Sequence, residues 1–361
     1  MANLIPYGFI GLEDIYADRV IQNNPTVIDD AVRNSAEWHT RTTEETMSLW
    51  VETTTQNSEK IILPGSGEMQ PLDADGNPIV TKLGGSYSVA YPFKWAGDAY
   101  GTNRETQEKM TVGEVARYTL NIQMKDSKWL RRHYLAAVLD NTEWTFDDPE
   151  FGDLVIKPLA NNDAARYIDK TGSSVAANHY GAQAANISDA ANPFPTIFDA
   201  LENFPSNNVS GANPVVAYVA TNLRSQIRGL AGFVGSNEFG VVPGANVSTV
   251  DMGAINRFMV SGMRFLGVVD DVIVMEWGQL PAGYMLFWAS GAGPFIKMRQ
   301  EPEAALQGLI TEIHSPDGNH RVYRFLRKAG FGVANRVAAY VYQIGNAAYQ
   351  IPTGYATPLA S

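Results

Sequence analysis

The sequence predicts an α+β fold, and three observations carry that expectation. A long capped helix spans Thr111 to Asp140, apolar strands recur between turns from Val215 to Ile344, and a polar two-stranded segment precedes both. A strand, a helix and further strands in mixed order imply one core built on one sheet.

Taken in order, Leu12–Asn24 and Thr26–Val51 read as short helical pieces separated by Pro25. Leu12, Ile15, Tyr16 and Val20 share a face of the first piece, and Val27, Ile28 and Val32 share a face of the second. Polar residues join them, so they are expected to form an arm laid over a surface; ordinary surface helices of a domain are the alternative. The segment Thr53–Trp95 carries apolar residues at Ile61, Ile62 and Leu63, a turn over Asp73–Pro78, a second apolar pair at Ile79 and Val80, and a strand from Tyr87 to Phe93. Asp75-Gly76 and Asn77-Pro78 are turn chemistry, because Gly accepts positive φ and Pro cannot extend a ladder. A hairpin this polar has no apolar face deep enough to offset its ordering entropy. It needs a surface to lie on, supplied by its own chain or by a neighbouring subunit.

Gly97–Lys109 reads as a loop rich in glycine and charge. Thr111 and Glu114 then have the spacing of a capping box, in which the hydroxyl takes a backbone N–H and the carboxylate reaches back. Val115, Tyr118, Ile122, Trp129 and Leu130 fall on one stripe, continued by Leu135, Val138 and Leu139. Such a helix is a rod of roughly 45 Å. Asp147–Pro195 is polar and rich in Ala, Asn, Asp and Gly, and reads as a long surface loop or insertion.

A short helix starts near Thr196, Val215–Val219 is a buried strand, and Asn222 is placed to cap a helix over Leu223–Leu230 that Gly232 ends. Strands follow at Arg264–Val269, Val272–Met275, Tyr284–Trp288, Phe295–Arg299, Leu306–His314, His320–Lys328 and Ala338–Ile344.

Composition excludes several functions. The chain lacks cysteine, which removes disulfides, thiolate zinc sites and cysteine nucleophiles, and which fits a reducing compartment. A formal charge of −11 argues against a general nucleic-acid binder, although one locally basic face is compatible with it. No run of about 18 apolar residues suggests a membrane span, and no basic segment followed by an apolar one suggests a signal peptide.

The candidate motifs are weak. Asp73-Ala74-Asp75-Gly76-Asn77 resembles a calcium loop, but its glycine comes too early and its twelfth position is Gly84, not a bidentate Glu. His314 and His320 flank a hairpin loop without a third ligand. Asp270 and Asp271 are adjacent, so on a strand their carboxylates face opposite ways and could not share a substrate; a strand end or turn explains them better. Gly291-Ala292-Gly293 precedes a strand and cannot present helix N–H groups to a phosphate. No serine sits in a nucleophile-elbow context. Catalytic, cofactor and metal residues are therefore expected to be absent.

The order of elements resembles the major capsid protein of tailed double-stranded DNA bacteriophages, a lambdoid-type shell fold shared with encapsulins. Gly267-Val268-Val269-Asp270-Asp271 with Leu280-Pro281-Ala282-Gly283-Tyr284 is similar to that family's axial strand, acidic turn and Pro-x-Gly turn. Arg327–Arg336 followed by Ala338-Ala339-Tyr340-Val341 is similar to its closing segment. The resemblance covers nearly the whole chain. It implies an N-terminal arm at 1–50, an extended hairpin loop at 51–104, a peripheral domain at 105–195 and 292–328 with spine helix 111–140 and a polar insertion, and an axial domain at 196–291 and 329–361 with a mixed central sheet.

Function is then expected to be geometry: hexamers and pentamers tiling an icosahedral shell around packaged DNA that is contacted non-specifically. The resemblance lays the hairpin arm across the neighbouring subunit, with contacts at Ile61, Ile62, Leu63, Asp73, Asp75, Ile79, Val80, Tyr91 and Trp95, and brings 235–250 near the capsomer axis. Some relatives crosslink a lysine of this arm; Lys60 and Lys82 are available here, with no identifiable partner residue. Expected partners are further copies of the chain, a separate scaffolding protein (no long helical scaffold segment precedes the arm), a portal, and a decoration protein that the resemblance allows, with no membrane. The expected location is the virion, after assembly in the host bacterial cytoplasm. The alternatives are an encapsulin-like compartment, and a soluble hydrolase whose arm forms a lid.

Overall fold

The computed structural model describes residues 20, 25–62, 72, 75, 77, 86–160, 165–235, 258, 262–315 and 320–359. In chain order the elements begin with α1 (Pro25–Met47), β1 (Val51–Thr54), β2 (Ser58–Ile62), β3 (Ser86–Ala90), β4 (Lys94–Asn103), α2 (Arg104–Lys109) and α3 (Val112–Leu139). Next come β5 (Trp144–Asp148), β6 (Gly152–Ile156), β7 (Arg166–Ile168), β8 (Ser174–Ala176), β9 (Tyr180–Gln183), α4 (Phe194–Glu202), β10 (Val215–Val219), α5 (Arg224–Arg228) and β11 (Val234–Gly235). The last are β12 (Met263–Val269), β13 (Val272–Trp277), β14 (Tyr284–Ala289), β15 (Ile296–Arg299), β16 (Leu309–His314), β17 (His320–Val333) and β18 (Ala339–Ile344).

The α+β class is as expected, but the strands form two larger sheets rather than one. The five-stranded sheet is organised by β17. Its first part, His320–Ala329, pairs with β4 on one side and, over Val322–Arg327, with β16 on the other; Gly330–Val333 pairs with β15, which pairs in parallel with β1. The seven-stranded sheet runs β11-β12-β13-β10-β14-β18-β9. Val215, Ala217 and Val219 of its central β10 pack on one apolar cluster while Val216 and Tyr218 pack on another. Both faces are covered, which is why this strand is an unbroken apolar run.

Helix α3 joins the two sheets. Its capping box is present: Glu114 N–H donates to Thr111 Oγ1 at 3.3 Å, and Thr111 N–H to Glu114 Oε2 at 2.9 Å. Val112, Val115 and Ile122 pack with Ile28, Val32 and Ala36 of α1 and with Leu309, Tyr323 and Phe325. Leu130, Tyr134, Leu135, Val138 and Leu139 enter the core shared by both sheets. Mid-helix, buried Asp126 accepts two hydrogen bonds from Arg327 of β17, at 2.9 and 2.6 Å, and one from His39 of α1 at 3.1 Å. Burial alone would raise the Asp126 carboxyl, but these donors outweigh it and hold it below the usual carboxylate range. The expected stripe is right except at Tyr118, which is exposed.

Several local expectations are corrected. Residues 25–47 are one helix, because proline in a first turn lacks only an N–H that has no intrahelical partner. Its apolar face is buried in the body, not merely laid on it. The glycine-rich 97–109 segment is β4 and α2; at Gly97 a Cβ would lie 2.8 Å from Leu326, so the glycine permits close pairing with β17. Gly330 likewise passes the Pro92 carbonyl oxygen, which a Cβ would approach to 1.6 Å. The supposed 147–195 loop contains part of the β5–β6 hairpin, the β7–β8 hairpin, β9 and the start of α4, and β9 completes the larger sheet beside β18. Asn222 caps no helix; its Oδ1 accepts the Gly283 N–H at 3.0 Å. Asp270 and Asp271 form the expected tight turn, both at positive φ.

After β18, the chain straps back across α3. Tyr349 Oη donates to the Leu139 carbonyl at 2.7 Å, Arg132 Nε to the Gly354 carbonyl at 3.0 Å, and Thr357 Oγ1 to Asp140 at 2.6 Å. Beside this strap, His133 donates Nδ1–H to the Trp129 carbonyl at 2.8 Å. Burial, with Lys94 and Arg132 nearby, lowers its pKa to about 4. Among the described residues no helix is long and apolar enough to cross a membrane.

Two stability predictions follow from these buried groups. Asp126→Ala leaves Arg327 buried without its counter-charge and should cost about 3–5 kcal/mol in urea unfolding of the subunit. For His133 the unfolded chain takes up a proton near pH 6.5 and the folded chain only near pH 4. Stability should therefore fall as pH drops across that window, and His133→Gln should flatten the slope in the same assay.

Candidate subunit interface

The base of the hairpin arm is where the polar segment leaves the body. Strands β2 and β3 pair antiparallel from Ser58 opposite Ala90 to Ile62 opposite Ser86. Alternation then decides which side chains face in: Glu59 and Ile61 are half-buried, while Ser58 and Lys60 are exposed. Ile61 packs on a small cluster that includes Tyr87, Val89, Tyr91, Tyr167 and Val337. Lys297 Nζ of β15 donates to both oxygens of Glu59, at 2.8 and 2.9 Å. Tyr87 Oη donates to the Ala334 carbonyl at 3.2 Å, and Tyr91 N–H to the Asn57 carbonyl at 2.9 Å. The root of the arm is thus fastened to its own subunit by packing, a bidentate ion pair and backbone bonds.

Next to this root, Arg299 of β15 donates to Asp148 at 2.7 Å and to the Tyr91 carbonyl at 3.2 Å. The Arg299 guanidinium lies 4.8 Å from the Phe93 ring and 5.7 Å from Phe151. Burial of Asp148 opposes ionisation, but the Arg299 hydrogen bond and two backbone donors prevail and lower its pKa. Lys328 Nζ sits 3.6 Å over the Trp95 ring and also pairs with Glu301.

Of the expected contact residues, Tyr91 is corrected. It is fully buried in its own chain, and burial together with nearby Glu59 raises its phenol pKa. A side chain without exposed surface has nothing to offer a neighbour. Ile61 keeps only a partly open face, whereas Trp95 is 62 % exposed on β4. Asp75 is exposed at a turn. Leu63, Asp73, Ile79 and Val80, the side chain of Ile62, and most of 235–250 lie outside the described residues, as do Leu12–Arg19 and Lys82. Sequence reasoning missed the exposed apolar residues Trp38, Leu120, Met124, Phe151 and Val155. The i, i+4 spacing of Leu120 and Met124, off the buried stripe of α3, was the available signal.

No family model and no curated relative matches this chain. Solved structures do. A chain from Mycobacterium phage Patience superposes with a TM-score of 0.68 over 100 % of both chains, at 16 % identity. A chain from the asymmetric unit of the bacteriophage PhiM1 mature capsid does so with a TM-score of 0.51, over 83 % of this chain and 87 % of that one, at 9 % identity. With a spine helix joining two sheets and a hairpin rooted at β2 and β3, the chain has the fold of the tailed-phage major capsid proteins.

Proposed function

We propose that the protein is a structural shell subunit that assembles with copies of itself into capsomers and an icosahedral capsid, not an enzyme. The full-length likeness to a phage chain, with neither chain left over, carries this reading. The arm root supports it. Strands β2 and β3 form a two-stranded sheet whose outer edges are unpaired among the described residues, and such edges accept strands or surfaces from another copy. The arm, residues 63–85 included, is the element we assign to the neighbouring subunit, together with exposed Trp95. DNA, a separate scaffolding protein, a portal and a decoration protein are the partners this role calls for. The chain's acidity leaves DNA to non-specific contact inside the shell. The virion is the proposed location, with assembly in the host cytoplasm.

Deleting 65–82 should leave a folded, soluble subunit that forms no shells by size exclusion and negative-stain microscopy; normal particles would refute the arm's role. Lys297→Glu should loosen the root and lower particle yield. Adding Glu59→Lys should restore much of that yield, because the pair is re-formed with reversed sign.

A further inference from the structure

The solvent face of α3 is apolar and basic at once. Arg117, Leu120, Met124 and Lys128 follow one another at helical spacing, so they form a single stripe roughly 16 Å long. All four are exposed, and half-buried Arg131 continues the stripe. Neither Arg117 nor Lys128 has an ion pair among the described residues. Leu120 is 57 % exposed and Met124 55 %. Large apolar side chains held in water between cations mark a face that another surface covers, and an acidic, partly apolar surface complements it.

The hairpin of β5 and β6 has that chemistry. Asp147 stands directly opposite Asp153, and Thr145 opposite Val155, so the four side chains share one face, and all are exposed. Glu150 and Phe151 are exposed at its turn. Like charges directly opposite on a hairpin are destabilising when left alone. None of Asp147, Glu150 and Asp153 has an ion pair among the described residues. Among those residues, no other run of ten places two exposed large apolar side chains beside three such carboxylates. The turn is preformed: buried Asp148 accepts the N–H of Glu150 at 3.0 Å and of Phe151 at 3.2 Å, while Arg299 holds its other oxygen. Five residues a side make the hairpin roughly 16 Å long, the length of the stripe.

The two surfaces do not meet within one subunit. Leu120 and Met124 lie about 28 and 22 Å along α3 from Leu139, the end from which the hairpin departs, and both distances exceed the hairpin's length. The hairpin is also fastened there. Leu159 N–H donates to the Ala137 carbonyl at 2.9 Å, and Arg299 fixes Asp148 beside the arm root. We propose that the β5–β6 hairpin of one copy docks along the outer stripe of α3 of a second copy. Phe151 and Val155 then cover Leu120 and Met124, and the carboxylates stand beside Arg117 and Lys128. Because the contact joins two different patches, each copy keeps one of them open, and association runs head to tail until it closes in a ring. The inference rests on the shell role proposed above and names one contact between its copies.

The cysteine-free sequence allows single thiols to be placed. Full-length protomers carrying only Val155→Cys, mixed with protomers carrying only Met124→Cys and treated with a bis-maleimide, should give a two-chain band. Its joined tryptic peptides should be those holding positions 155 and 124. Val155→Cys mixed with Val234→Cys, at the far edge of the seven-stranded sheet, should give no such band. Adding Arg117→Glu and Lys128→Glu to the Met124→Cys protomer should cut the yield roughly fivefold. Adding Asp147→Lys and Asp153→Lys to the Val155→Cys protomer should then restore most of it. Every substituted position is exposed, so folding is retained. Absence of the 155–124 link, equal linking at Val234, or a yield indifferent to the charge reversals would overturn the contact. Shells that form without the link would sink this contact and leave the shell role standing; the link without shells would do the reverse.

Discussion

One helix serving two cores is the constraint on which the rest of this structure depends. The first half of α3 is buried by α1 and the β16–β17 hairpin, and its second half by the seven-stranded sheet and β15. A rigid rod fixed at both ends transmits position between the sheets without a hinge. The Asp126–Arg327 pair, braced by His39, sits where those halves meet. It also defines the register of α3 on β17, since a bidentate carboxylate–guanidinium contact tolerates little sliding. Replacing such a pair with well-packed apolar groups is often neutral for stability, whereas removing one partner alone is costly.

Around that rod the chain fastens its own polar extensions at their roots. The hairpin arm is held by Glu59–Lys297 and by Ile61 in a tyrosine-lined cluster. The C-terminal strap is held by Tyr349, Gly354 and Thr357 on α3 and Asp140. Fastening an extension where it leaves the body sets its direction. For the shell role proposed above, contacts aimed before a neighbour arrives would avoid an ordering cost at every interface.

Much of this was legible in the sequence. The capping box at Thr111 and Glu114, the apolar run at Val215–Val219 and the tight turn at Asp270-Asp271 rest on local chemistry, and each stands where it was expected. The arm root was legible only in part. Its two apolar segments were visible, yet β2 pairs with the Tyr87 strand, and within the described residues nothing speaks to Ile79 and Val80. Tyr91 was misread because an aromatic residue in a polar segment gives no sign of which way it faces. The cluster of Tyr87, Tyr167, Phe204 and Val337 that encloses it is assembled from four distant stretches.

By itself, then, the sequence determined the elements whose signals lie within a few residues: helix start, strand core, turn, and the acidic, cysteine-free character of the surface. Tertiary structure alone decided which strands share a sheet, why Gly97 and Gly330 are strand residues, and how β9 comes to close the larger sheet. The physical reason is that these outcomes depend on what lies opposite. A glycine pressed against Leu326 or the Pro92 carbonyl reads in isolation like a glycine in a loop, and a four-residue polar strand has no period to reveal it until β18 supplies its partner.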